Sequence, residues 1–226
     1  MSSAVTPLAR PPARARRPVH PQALHPLPVL ENGDHLGLSE FLRRYEAMPG
    51  LRKAQLIEGK VHMPSPVSAA HAIPDGHLQG WLYCYALSRE GLECLPNATL
   101  ILDADNTVQP DAILCSLPRK GSRVWLNDKN YLCGAPELVC EIAASSASVD
   151  LHEKFRVYRR NGVQEYLVWL TLEKQVRWFQ LIDQEYVEMK EHVGKLSSRV
   201  FPGLILDVKA LIKMDRKRVI AALKYR

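Results

Sequence analysis

Residues 138–144, Leu-Val-Cys-Glu-Ile-Ala-Ala, form an apolar run broken by a single charge, Glu141. A run of this length without turn residues reads as a buried strand. Glu141 stands where strand alternation calls for another Val or Ile. Burying an unpaired carboxylate costs on the order of several kcal/mol, so the fold must bring this side chain a partner. Chemistry alone leaves two outcomes open: a structural ion pair, or a catalytic or metal-binding carboxylate.

A second carboxylate has a similar setting. In Val108-Gln109-Pro110-Asp111-Ala112-Ile113-Leu114, Asp111 follows a proline inside an apolar stretch. Proline removes a ladder donor and marks bulges and edges, where strands re-aim side chains, although Gln-Pro-Asp also reads as a turn. Two carboxylates on neighbouring strands would suit Mg²⁺, a hard cation held by a few protein oxygens with water and phosphate. The candidate cation is Lys154. In a helix starting at Asp150, residues 151, 154, 155 and 158 share a face, which sets Lys154 beside Leu151, Phe155 and Tyr158. Packed on the sheet, that face would half bury the lysine stem and let its head reach the strand end, whereas a lysine taken alone is a surface residue.

The surrounding pattern is strand-rich with inserted helices. Residues 39–45 read as a helix with Ser39 as cap, stopped by Pro49-Gly50. Residues 56–63 alternate like one strand. Asp75 is placed to cap a second helix with Leu78, Trp81, Leu82 and Tyr85 on one face. Strands are expected at 93–95, 99–103 and 107–115, the last two joined by a turn at 104–106, followed by a polar excursion over 116–134 that holds Arg119, Lys120 and Arg123. Asp150 and Glu153 have capping-box spacing, and the helix they open should stop at Asn161-Gly162. Three strands near 165–170, 175–181 and 185–189 and two basic helical segments, 208–213 and 216–224, complete the expected elements. The expected fold class is α/β (α+β), a mixed β-sheet flanked by helices with an additional C-terminal antiparallel β segment.

Three regions are expected. Residues 1–28 hold seven of the sixteen prolines and read as a disordered or polyproline-like Pro/Arg-rich tail; residues 29–211 form the folded domain, and 212–226 a basic C-terminal helix. The net charge of +6 divides unevenly: the first 28 residues carry +4 and residues 209–226 carry +6, which leaves −4 for the middle. The charge alone therefore does not establish a nucleic-acid partner. The five cysteines, Cys84, Cys94, Cys115, Cys133 and Cys140, lack zinc-ribbon spacing and read as reduced thiols of a cytoplasmic protein. No apolar run has transmembrane length, and the arginines near the N-terminus precede no apolar stretch, so neither a membrane partner nor a secretory signal is expected.

Pro110-Asp111, Glu141 in an apolar strand and a lysine in the following helix resemble the PD-(D/E)XK phosphodiesterase superfamily. More closely, the chain resembles the Uma-type restriction endonuclease family. The stretches that carry the likeness are Gln55-Leu56-Ile57-Glu58-Gly59, Gln109-Pro110-Asp111, residues 134–142, Ser146, residues 150–154, residues 158–166 and Phe201-Pro202-Gly203-Leu204. The superfamily pattern places Lys two residues after the Glu, where this chain has Ala143; the family moves it to the next helix, which makes Lys154 the replacement. Family members often carry Glu at the position of Gln55, so a supporting role there passes to Glu58 or is missing.

The resemblance implies a restriction-endonuclease-like core and a metal-dependent endonuclease acting on DNA phosphodiesters, with a homodimer as its compatible assembly. It implies Asp111, Glu141 and the main-chain carbonyl near Ile142 as ligands of Mg²⁺, with Mn²⁺ as the alternative ion. Glu58, Gln109 and Ser146 would support them. The metal would lower the pKa of water and polarise a phosphoryl oxygen, with Lys154 positioning the nucleophile or stabilising the pentacovalent charge.

Rival chemistries find little support in the sequence. His71 and His77 lack a third ligand at zinc spacing, Ala144-Ser145-Ser146-Ala147 is no nucleophile elbow, and there is no P-loop. The stronger alternative is a catalytically inactive nuclease-fold module that binds DNA or protein.

Overall fold

The structure, a computed structural model of the chain, describes residues 27–117, 122–144 and 146–224. The tail expected at 1–28 thus falls almost wholly outside the described residues, as do Arg119 and Lys120. The elements run α1 (Leu38–Glu46), β1 (Gln55–Ile57), β2 (Lys60–His62), α2 (Ala69–Ala86), β3 (Leu92–Pro96), β4 (Leu100–Asp103), β5 (Asn106–Val108), β6 (Ala112–Ser116), β7 (Val124–Leu126), β8 (Leu132–Gly134) and β9 (Leu138–Ala143). A π-helical turn (Val149–Lys154) then leads into α3 (Phe155–Arg160), β10 (Glu165–Leu170), β11 (Gln175–Ile182), β12 (Glu185–Glu188), β13 (Lys195–Ser197), β14 (Ile205–Asp207), α4 (Val208–Ile212) and α5 (Arg216–Ala221).

These strands build two six-stranded sheets. The first has order β2-β1-β5-β4-β8-β7, the second β12-β11-β10-β9-β6-β3, and β13 pairs with β14 as a small antiparallel addition. Both large sheets are mixed, since β9 runs parallel to β10 and β4 parallel to β8 while the other pairs are antiparallel. The mixed α+β class expected from the sequence is the class observed.

Alternation along the second sheet sorts its side chains into two cores. Leu138, Cys140 and Ile142 join Leu78, Trp81, Leu82 and Tyr85 of α2, together with residues of α4 and α5. Val139 and Ala143 face the other way, toward Ile57, Leu100 and Val108 of the first sheet and Val157 and Tyr158 of α3. By parity Glu141 shares that second side, in the layer between the two sheets.

Several elements differ from the sequence expectation. Residues 56–63 form a hairpin rather than one strand, because Glu58 (φ 51°) and Gly59 (φ 75°) make a two-residue turn with positive φ at both positions. The expected strand 107–115 is split at residues 109–111, and its halves, β5 and β6, serve different sheets. The polar excursion contains a hairpin, β7–β8, whose burial rests on Val124 and Leu132. Helix α2 starts at Ala69, so Asp75 lies inside it rather than at its cap, and Pro74 is accommodated within the helix. The missing N–H of Pro74 falls near the helix start, where burial of Leu78, Trp81, Leu82 and Tyr85 outweighs one lost bond. Ser39 lies within α1, whose N-cap is Gly37.

Candidate active site

The site lies where β6 and β9 part. Antiparallel pairing sets Ala112 against Cys140, and two further steps of the same register would set Pro110 against Ile142. The N–H groups of Glu165 and Thr171 donate to the carbonyls of Glu137 and Ala143, so odd-numbered carbonyls of this strand face β10. Ile142 therefore turns its N–H and C=O toward β6, where proline has no N–H to give. Its own N–H donates instead to Asp111 Oδ2 at 2.7 Å. The break in the ladder fixes the Asp111 carboxylate and leaves the Ile142 carbonyl without its ladder donor.

Glu141, one residue earlier, is 2% exposed and has two close partners. Tyr158 donates its hydroxyl to Glu141 Oε1 at 2.7 Å, and Lys154 Nζ lies 2.9 Å from the same oxygen. Lys154 Nζ is also 3.0 Å from Asp150 Oδ1, and Ser146 donates its hydroxyl to Asp150 Oδ2. Asp150 is thus no helix cap: it is buried inside the π-helical turn and makes no capping bond. The wider turn carries Asp150 and Lys154 inward together, a shape common at functional sites. Lys154 is buried, where the sequence expectation was a half-buried stem.

Two more basic side chains reach Asp111 from other elements. Lys53 Nζ stands 3.6 Å from Asp111 Oδ1, and His71 Nε2 stands 3.4 Å from Oδ2. Lys53 precedes β1, and His71 sits in the first turn of α2, the stretch by which that helix begins early.

These environments push the titrations apart. Burial raises the Asp111 carboxyl, but the His71 hydrogen bond, the charges of Lys53 and Lys154 and the Ile142 N–H together hold it below its ordinary value. His71 is raised in turn, chiefly by its hydrogen bond to Asp111. Burial lifts Glu141 to about 7 against the pull of Lys154. For Lys154, burial works against the charge, yet the carboxylates of Asp150, Glu141 and Asp111 outweigh it and keep the ammonium protonated.

The structure thus gathers Asp111, Glu141, Ile142, Lys154 and Ser146 in one place and sends Glu58 and Gln109 elsewhere. Glu58 turns its two oxygens to Arg156 and Arg160, each at 3.0 Å. Gln109 donates to Thr99 Oγ1 and Tyr45 OH, and its N–H donates to Gln55 Oε1, so both glutamines brace the first sheet. Sequence reasoning missed Lys53, His71 and Asp150. By spacing alone His71 is no more than a weak zinc ligand and Asp150 a helix cap.

Among the described residues no group of three or more His, Cys, Asp and Glu side chains is arranged as a metal cage. A hard dication that keeps much of its water requires less: one or two carboxylates suffice. Asp111, Glu141 and the carbonyl of Ile142 are all oxygen donors and fit that chemistry. No described helix is long and apolar enough to cross a membrane.

No curated protein matches the chain. Among solved structures it is similar to the crystal structure of "a putative nuclease belonging to DUF820" from Anabaena variabilis ATCC 29413. That likeness has a TM-score of 0.63 and 17% identity, and covers 79% of this chain and 98% of the other; it speaks for the fold alone. The family model described as "Putative restriction endonuclease" matches residues 38–209, which span both large sheets and every residue of the site. With the match covering well over half its length, the chain belongs to that family, Uma2.

Proposed function

We propose that this chain is a metal-dependent endonuclease that hydrolyses DNA phosphodiester bonds. Asp111, Glu141 and the Ile142 carbonyl would hold Mg²⁺ or Mn²⁺. The observation that carries the reading is the convergence, where β6 and β9 part, of two buried carboxylates, one buried lysine and a carbonyl lacking its ladder donor. A bound dication would supply an acidified water and neutralise charge on a phosphoryl oxygen.

The residues themselves divide the remaining work. Asp111, held ionised, presents Oδ1 while Oδ2 is fixed by Ile142. Lys154, held charged between Glu141 and Asp150, is a preorganised cation for the negative charge that grows on a pentacovalent phosphorus. Tyr158 and Ser146 fix the two acids that orient it. In this reading the partner is DNA, the compartment is the cytoplasm, and a homodimer supplies the two sites that cutting both strands requires.

Supercoiled plasmid incubated with Mg²⁺ should be nicked or linearised, EDTA should stop the reaction, and D111N should abolish it. Absence of cleavage with Mg²⁺ and with Mn²⁺, in protein that is folded, would favour the alternative of an inactive binding module. That alternative draws on one observation: within the chain the acids already have partners, Lys154 for Glu141 and Asp150, and Lys53 and His71 for Asp111.

A further inference from the structure

Lys53 holds a position that the hydrolytic reading leaves without a task. It lies outside the Lys154 cluster, at the rim, with its side chain 24% exposed while that of Asp111 is 5% exposed. Its ammonium donates to Asn97 Oδ1 at 3.2 Å and stands 3.6 Å from Asp111 Oδ1. The other oxygen, Oδ2, already has Ile142 N–H and His71. Oδ1 is therefore the oxygen of Asp111 left for a dication, and Lys53 is the cation that stands over it.

A dication and an ammonium repel each other strongly at such range, so both cannot serve Oδ1 closely. Loading would strip Lys53 of its carboxylate partner and leave a lysine head at the edge of the site. Its Asn97 contact is exposed and neutral, and a flexible four-carbon stem allows the head to swing. A lone ammonium beside a reaction centre that takes a polyanion is matched by a backbone phosphate. We propose that Lys53 is an exchangeable cation: it neutralises Asp111 in the metal-free protein and, once the metal is bound, contacts a DNA backbone phosphate next to the scissile one. This rests on the nuclease reading and adds to it a residue for substrate binding.

The proposal ties two measurements together with opposite signs. In full-length K53Q without DNA, Mn²⁺ should bind more tightly than in wild type, read by loss of the free-ion paramagnetic resonance signal, because a competing charge is gone. With a fluorescein-labelled duplex and Ca²⁺ in place of Mg²⁺, the same variant should bind DNA more weakly by anisotropy, with the duplex checked as intact on a gel. Its plot of log affinity against log salt should be shallower by about 1, the signature of one lost phosphate contact. In EDTA, where Lys53 stays on Asp111, the slopes of variant and wild type should coincide. K53R, which keeps a mobile cation, should restore the salt slope, and its recovery guards against a fold defect in K53Q.

An unchanged salt slope in K53Q with Ca²⁺, or weaker Mn²⁺ binding, overturns the role of Lys53 while wild-type cleavage keeps the nuclease reading intact. Wild-type protein that cleaves nothing with any dication overturns both.

Discussion

Lys154 shows how far a single residue's role depends on what surrounds it. Taken from the sequence it is a helix lysine leaning over a sheet, and its loss should cost rate and little else. Buried between Glu141 and Asp150 it is also structural, since removing it leaves two buried carboxylates without a countercharge. Breaking a buried pair from one side costs roughly 3–5 kcal/mol, so K154A should unfold at markedly lower urea than wild type in EDTA. Mg²⁺ should return more stability to K154A than to wild type, because a dication on Glu141 replaces part of the lost charge. Equal urea midpoints for the two proteins would show that Lys154 is not needed to hold the acids. The same residue scale decides what the sequence could reveal. Asp111 and Glu141 stand out because a carboxylate in an apolar run is a local anomaly. Asp150 does not, because an Asp ahead of a helix has an ordinary meaning as a cap. Lys53 and His71 reach the site only through the placement of a loop and a helix start, which no local spacing encodes.

At the scale of elements, one turn ties the first sheet to its neighbour. Asp103 ends β4 and accepts from Asn106 Nδ2 at 2.6 Å, from Asp105 N–H at 2.9 Å and from Asn161 Nδ2 at 2.8 Å, so one carboxylate joins a hairpin turn to the end of α3. Burial raises its pKa, but these donors outweigh burial and hold it below the ordinary value. A folded-state pKa below the unfolded one gives stability that is present above the unfolded value, near pH 4, and is lost as pH falls through the folded value. D103N should therefore melt below wild type at pH 7, with the gap narrowing as the pH falls below about 4; a gap that stays constant on acidification would refute the linkage. Gly134, at the end of β8, is constrained by space as well as by its φ of +96°. An added Cβ would lie 2.8 Å from the Trp125 ring and closer still to the Arg123 carbonyl. G134A should cost more than about 1 kcal/mol, measured by chemical denaturation, because the backbone cannot yield to it. From the sequence the β7–β8 hairpin reads as a polar excursion, since three-residue strands are too short for alternation to show.

At the scale of the molecule, the site exists because the chain changes sheets. Continuous pairing through residues 107–115 would have given a longer ladder and no gap; instead β5 belongs to one sheet and β6 to the other. The sequence marked the spot with Pro110 but not its consequence, because one strand or two depends on how two sheets pack and not on local propensity. If proline's missing N–H keeps the Ile142 carbonyl open, restoring an N–H there should close it. P110A gives the segment just before β6 a donor opposite that carbonyl, and a new bond would draw it into the ladder. The variant should keep its thermal stability to within about 1 kcal/mol, the typical net effect of one hydrogen bond. At the same time its requirement for Mg²⁺ should rise, read as a shift of the plasmid-cleavage midpoint to higher metal concentration. Manganese should show the same shift, because the lost donor is an oxygen common to both ions. An unchanged midpoint in folded P110A would mean that the carbonyl does not serve the metal, and that proline matters only for turning the chain from one sheet to the other.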